Sequence, residues 1–82
     1  MTLYHYRLLD EDLQIKILER EGVLIDERMK YPYKILLYQV DSFYIETYNH
    51  LHFKVLHKIK TFSGTQHLAP YLNKIDISPL VA

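Results

Sequence analysis

The sequence predicts an α+β fold: an N-terminal helix, a four-stranded antiparallel β-meander and a short C-terminal helix, in one domain spanning residues 1–82. Three observations predict it. Asp10 and Gly22 bracket a stretch in which Leu13, Ile17 and Leu18 recur at helical spacing. Apolar or alternating runs follow, separated by the turn signals Lys30-Tyr31-Pro32, Asp41-Ser42 and Asn49-His50-Leu51. Ser63-Gly64-Thr65 then ends the strand-like region and introduces a helix carrying Leu68, Tyr71 and Leu72.

The first helix is argued from its ends. Asp10 can accept from the free N–H groups of the first turn, and Glu11 and Asp12 sit where the helix dipole favours acids. Gly22, just after Glu21, is a stop signal. Leu13, Ile15 and Ile17 also alternate as a strand would, but the cap, the terminal glycine and the helix formers between them favour helix.

Val23 to Met29 reads as a strand that opens with β-branched residues. Pro32 turns the chain and restricts Tyr31 to extended backbone. Tyr33 to Val40 is apolar on both parities, as a central strand is. Asp41-Ser42 suits a two-residue hairpin loop. Phe43, Ile45 and Thr47 then share one face, and Tyr44, Glu46 and Tyr48 the other.

A last strand is expected from about His52 to Phe62. A three-residue loop at Asn49, His50 and Leu51 sets Glu46 opposite Lys54, Ile45 opposite Val55 and Tyr44 opposite Leu56. Both helices are expected on one sheet face, over Leu36, Val40, Phe43, Ile45, Phe53 and Val55. Ile35, Leu37, Tyr44, Tyr48 and Leu56 are left to the other. In the short C-terminal helix Pro70 sits early, where its missing N–H matters least. The apolar tail Ile75, Ile77, Leu80 and Val81 is expected to lie on the domain or on a second copy.

Composition bounds the function. A chain of 82 residues with 49% hydrophobic residues and 2 glycines is neither a linker nor a disordered tail. Cysteine is absent, so packing or self-association must supply what disulfides give other small domains. The 10 basic and 10 acidic residues cancel, which argues against a long-range field for nucleic acid or anionic lipid. Residues 1–7 lack the pattern of a signal peptide, and the run Ile35 to Val40 is far short of the roughly 20 residues of a membrane helix. A cytoplasmic protein without membrane contact is expected.

Motifs for chemistry are weak. His50 and His52 could share a strand face with Glu46 nearby, but His50 lies in a turn and a third ligand has no evident geometry; two surface imidazoles are the preferred reading. Ser42 and Ser63 lack a nucleophile elbow or a positioned base. Ser63-Gly64-Thr65 lacks the lysine and glycine spacing of a phosphate loop, so capping is preferred there, with His67 a weak assistant to any anion. No catalytic, metal or cofactor residue is expected, and the protein is not expected to be an enzyme.

What remains is a sheet face. Tyr44, Tyr48 and Leu56 form an apolar surface flanked by Lys54, Lys58 and Lys60, with His52 beside them. With 8 tyrosines and no tryptophan, such a face suits burial against a partner, most simply a second copy across a two-fold axis. Single-stranded nucleic acid stacking on these tyrosines between the lysines is the alternative, not favoured because Leu56 and Glu46 interrupt the basic row. A histidine-dependent enzyme is the third reading.

The segment from Leu37 to Glu46, with Thr61-Phe62-Ser63 and Leu68-Ala69-Pro70-Tyr71-Leu72, resembles short uncharacterised bacterial proteins of unknown function. The resemblance covers about two-thirds of the chain, in sheet and helix signatures and not reactive constellations. It implies a small cytosolic bacterial α+β protein and transfers no activity and no functional residue. The leading expectation is therefore a non-enzymatic interaction or regulatory module, acting as a homodimer or on another protein.

Overall fold

The computed structural model describes residues 1–64 and 66–71. Two helices, α1 (Leu3–Leu8) and α2 (Glu11–Glu21), precede four strands, β1 (Val23–Lys30), β2 (Tyr33–Val40), β3 (Phe43–His50) and β4 (Leu56–Phe62). The strands pair antiparallel in chain order, β1-β2-β3-β4. A 3₁₀ turn at Gln66–Leu68 leads into helical residues 69–71, the described part of the short C-terminal helix. Leu72 and the apolar tail from Ile75 to Val81 lie outside the described residues, as does Thr65.

Helix α2 has the ends its sequence demands. The Asp10 carboxylate accepts from Leu13 N–H at 3.0 Å, and the Gly22 N–H closes the helix on Leu18 O at 2.9 Å. Gly22 is needed there for space: a Cβ would lie 2.6 Å from Leu18 O. Helix α1 is an element that periodicity did not reveal. At 6 residues it is too short for a stable helix by itself, and tertiary contacts hold it. Tyr6 is fully buried; its hydroxyl donates to Gln14 O at 2.7 Å while Gln14 Nε2 donates back to Tyr6 O at 2.9 Å. That reciprocal pair locks the two helices, and the Tyr6 ring packs on Phe43 with centroids 5.5 Å apart.

The sheet has two buried faces. On the first, Tyr6 and Leu18 pack with Val40, Phe43 and Ile45, with Leu3, Ile17, Tyr38 and Ile59 around them. On the second, Tyr71 of the C-terminal helix packs with Leu37 and Phe62, flanked by Tyr44 and Leu68. The helices at the two ends of the chain therefore cover opposite faces, not one. Phe53 and Val55, expected in the core, are 67% and 54% exposed in the β3–β4 connection.

The last hairpin is also paired differently. Glu46 lies opposite Lys60, Ile45 opposite Thr61 and Tyr44 opposite Phe62, not Lys54, Val55 and Leu56. The shift is six residues (Lys54 to Lys60), and an even shift leaves the side chains from Lys58 to Phe62 on their expected faces, so binary pattern cannot detect it there. Residues His50 to Val55 form a tight connection instead, with Lys54 N–H donating to His50 O and His50 N–H to Val55 O, both at 2.8 Å. Lys54 takes φ 58° in it, a left-handed position without the glycine or asparagine that would announce it.

Candidate functional site

The residues expected to form an interaction surface do not share one. Tyr48 is 5% exposed and Tyr44 half-buried, its ring stacked on Phe62. The Lys58 and Lys60 ammonium groups lie 4.7 and 5.5 Å from the Tyr48 ring centroid, and Tyr33 meets it edge-on. Lys54 sits in the connection, away from that row. Leu56 is on the other face, because an irregularity between the Tyr48–Lys58 and Asn49–Leu56 pairs adds one residue to β4. There it lines a cleft of about 350 Å³ with Ile15, Leu18, Leu36 and Tyr38.

The second face is thus closed at its centre, where Ile35 and Leu37 are 0% and 2% exposed. A buried polar group helps to close it. Tyr71 donates to Glu46 Oε2 at 2.6 Å, and Arg28 Nη2 reaches the same oxygen at 3.4 Å. Burial raises the Tyr71 hydroxyl well above its ordinary pKa, and its bond to Glu46 adds to the effect. Arg28 also lies 5.3 Å from the Tyr71 ring centroid. Here the Glu46 carboxylate is a structural tie between β1, β3 and the C-terminal helix.

Among the histidines, His50 uses Nδ1 to accept from His52 N–H at 3.1 Å and Phe53 N–H at 3.2 Å, so it shapes the loop. Among the described residues no group of three or more His, Cys, Asp or Glu could hold a metal ion. No described helix is long and apolar enough to cross a membrane.

No family model, curated protein or solved structure matches the chain. Among the described residues, exposed apolar and basic side chains gather at the two sheet edges.

On β1, Val23, Leu24, Ile25 and Met29 are 47–65% exposed. Helix α1 lies chiefly against β4 and α2 against β2, while Tyr71 of the C-terminal helix reaches β1 at Arg28. On β4, Arg7 Nη2 donates to Thr61 O and Arg7 Nε to Thr61 Oγ1, both at 2.9 Å. Beside that clamp is a cleft of about 340 Å³, lined by Leu3, Arg7, Glu46, Lys60, Phe62, Ser63 and His67 among others. Sequence reading passed over both places. The exposed run on β1 is indistinguishable in composition from a buried strand, and Arg7 and Thr61 are 54 residues apart in the chain.

Proposed function

We propose that this protein is a non-enzymatic interaction module that self-associates by pairing β1 of one copy with β1 of another. The observation that carries the reading is the exposure of Val23, Leu24, Ile25 and Met29 on a strand whose outer edge has no strand partner among the described residues. The Tyr44 and Tyr48 face is a poorer surface for a partner, since Tyr48 is buried beneath two lysines. The same burial removes the open ring on which a nucleic acid base would stack.

A second copy is the occupant that the strand itself favours. An antiparallel copy across a two-fold axis sets the exposed Leu24 and Met29 of both chains on the same side of the new seam, where they meet their counterparts. The irregularity between Leu24 and Asp26 leaves Asp26 to Lys30 as the regular run for pairing, and Ile25 as an extra apolar residue beside it. Both α2 helices then lie on the same side of an eight-stranded sheet (two four-stranded halves), flanking exposed Leu24 and Met29.

Sedimentation over about 10 µM to about 1 mM tests this. The expected result is a monomer–dimer equilibrium that Met29→Lys weakens by about tenfold or more, with an unchanged circular dichroism spectrum. A wild-type chain that stays monomeric throughout, or a Met29→Lys variant that dimerises as well as wild type, overturns the proposal.

A further inference from the structure

Independently of self-association, the structure assigns a second site: the cleft beside β4 binds the phosphate group of a small phosphate ester, held by Arg7 and Lys60. The cleft brings together side chains from α1, from β4 and from the segment after it, with Phe62 as an apolar wall. Arg7 arrives already ordered. Its bonds from Nε and Nη2 to Thr61 fix the guanidinium plane, and Nη1 is left to donate elsewhere. A group immobilised before the ligand arrives loses less freedom on binding it.

Charge points the same way. Neither Arg7 nor Lys60 has a carboxylate partner within ion-pair distance among the described residues. The acid on the wall, Glu46, is already matched: Arg28 lies 3.4 Å from its Oε2 and Tyr71 donates to that oxygen at 2.6 Å. The local surplus is therefore positive, in a chain whose net charge is +0. Lys60, whose flexible stem holds its ammonium 5.5 Å from the Tyr48 ring centroid before the ligand arrives, contributes a point charge and Arg7 its free Nη1, and phosphate oxygens accept from both. Ser63 supplies a hydroxyl and His67, packed 4.9 Å from Phe62, an imidazole on the same wall. Phe62 and Leu3 line the same cleft as the cations, so the ligand class is a phosphate monoester with a compact organic part against them.

The test is a ¹H–¹⁵N NMR titration of the full chain with inorganic phosphate and then pyrophosphate, against chloride at matched ionic strength. Saturable shifts are expected at Arg7 Nε and at the amides of Lys60, Phe62, Ser63 and His67. Lys60→Ala and Arg7→Gln should each weaken binding by about tenfold, whereas Lys54→Ala, which removes a lysine outside the cleft, should not change it. Met29→Lys should bind phosphate like wild type, so failure of the dimer leaves this site standing. No saturable shift with either anion at about 50 mM, or equal weakening by Lys60→Ala and Lys54→Ala, overturns the assignment.

Discussion

The sheet ends in two strands of similar length and opposite finish. Strand β4 presents His57, Lys58 and Lys60 outward, and Arg7 of α1 donates to the carbonyl of Thr61. Strand β1 presents Val23, Leu24, Ile25 and Met29, each about half exposed or more. Lysines and a capping side chain blunt an edge, whereas the apolar residues of β1, set beside Asp26, Glu27, Arg28 and Lys30, stay exposed. The contrast shows how a short chain spends its helices. The core that they build with β2 and β3 centres on Tyr6, Leu18, Val40, Phe43 and Ile45, and β1 is left over. Stability rests on the inner strands, and the association proposed above rests on β1.

Separating the two roles by mutation gives the largest expected effect. Phe43 is 1% exposed at the centre of the first core, so Phe43→Ala should cost about 3–5 kcal/mol of unfolding free energy. Leu24, 54% exposed on β1, should cost less than about 1 kcal/mol when changed to Ala in the monomer. Urea unfolding at low micromolar concentration measures both. Comparable losses at the two sites would mean that β1 is packed as firmly as β3, and the contrast between them would fail.

How far this division could be read beforehand depends on what kind of physics set each element. Local signals were legible: the Asp10 cap, the Gly22 stop, the Asp41-Ser42 turn and the two-sided apolar pattern of β2 all recur in the structure. Non-local ones were not. Helix α1 is held by Tyr6 and its exchange with Gln14, which no local pattern announces. The β4 register differs by an even number of residues, to which alternation is blind, and the added residue near His57 then moved Leu56 to the opposite face. The candidate sites were hidden for the same reason. Exposure of β1 depends on where the helices stop, and the cleft joins Arg7 to residues beyond position 60.

The helix-covered side should also be the side that alkali attacks. Burial pushes the Tyr6 hydroxyl up to about 12, from an ordinary value of 10.0. Unfolded chains then release this proton at a lower pH than folded ones do, so between these values the unfolded state binds fewer protons. The stabilisation is fully present below about pH 10 and is lost as pH rises through about 12, a change on the order of 2–3 kcal/mol. Burial raises Tyr71 as well, so the loss has two sources. Chemical denaturation from pH 8 to 12 (roughly the span of the two tyrosine states) should show the decline, and Tyr6→Phe should make it shallower. An identical slope in Tyr6→Phe would assign the alkaline loss to other groups.

The smallest effect bears most directly on the edges. Arg7 is exposed, so its two hydrogen bonds to Thr61 are in competition with water, and Arg7→Ala should cost only about 1 kcal/mol. Its consequence for association is larger than its consequence for folding. Without the guanidinium, the Thr61 carbonyl becomes an open acceptor on a strand that still carries Lys58 and Lys60. If the lysines are the main protection, the variant keeps the oligomeric state of wild type at every concentration. If the arginine clamp is, Arg7→Ala associates further, through β4 as well as β1, and sedimentation shows species larger than a dimer. The Arg7 clamp is geometrically specific, two bonds at 2.9 Å to one residue, whereas the lysines repel a second β4 only through a screened charge. The clamp should therefore be the stronger guard at physiological salt, and the larger species should appear there first.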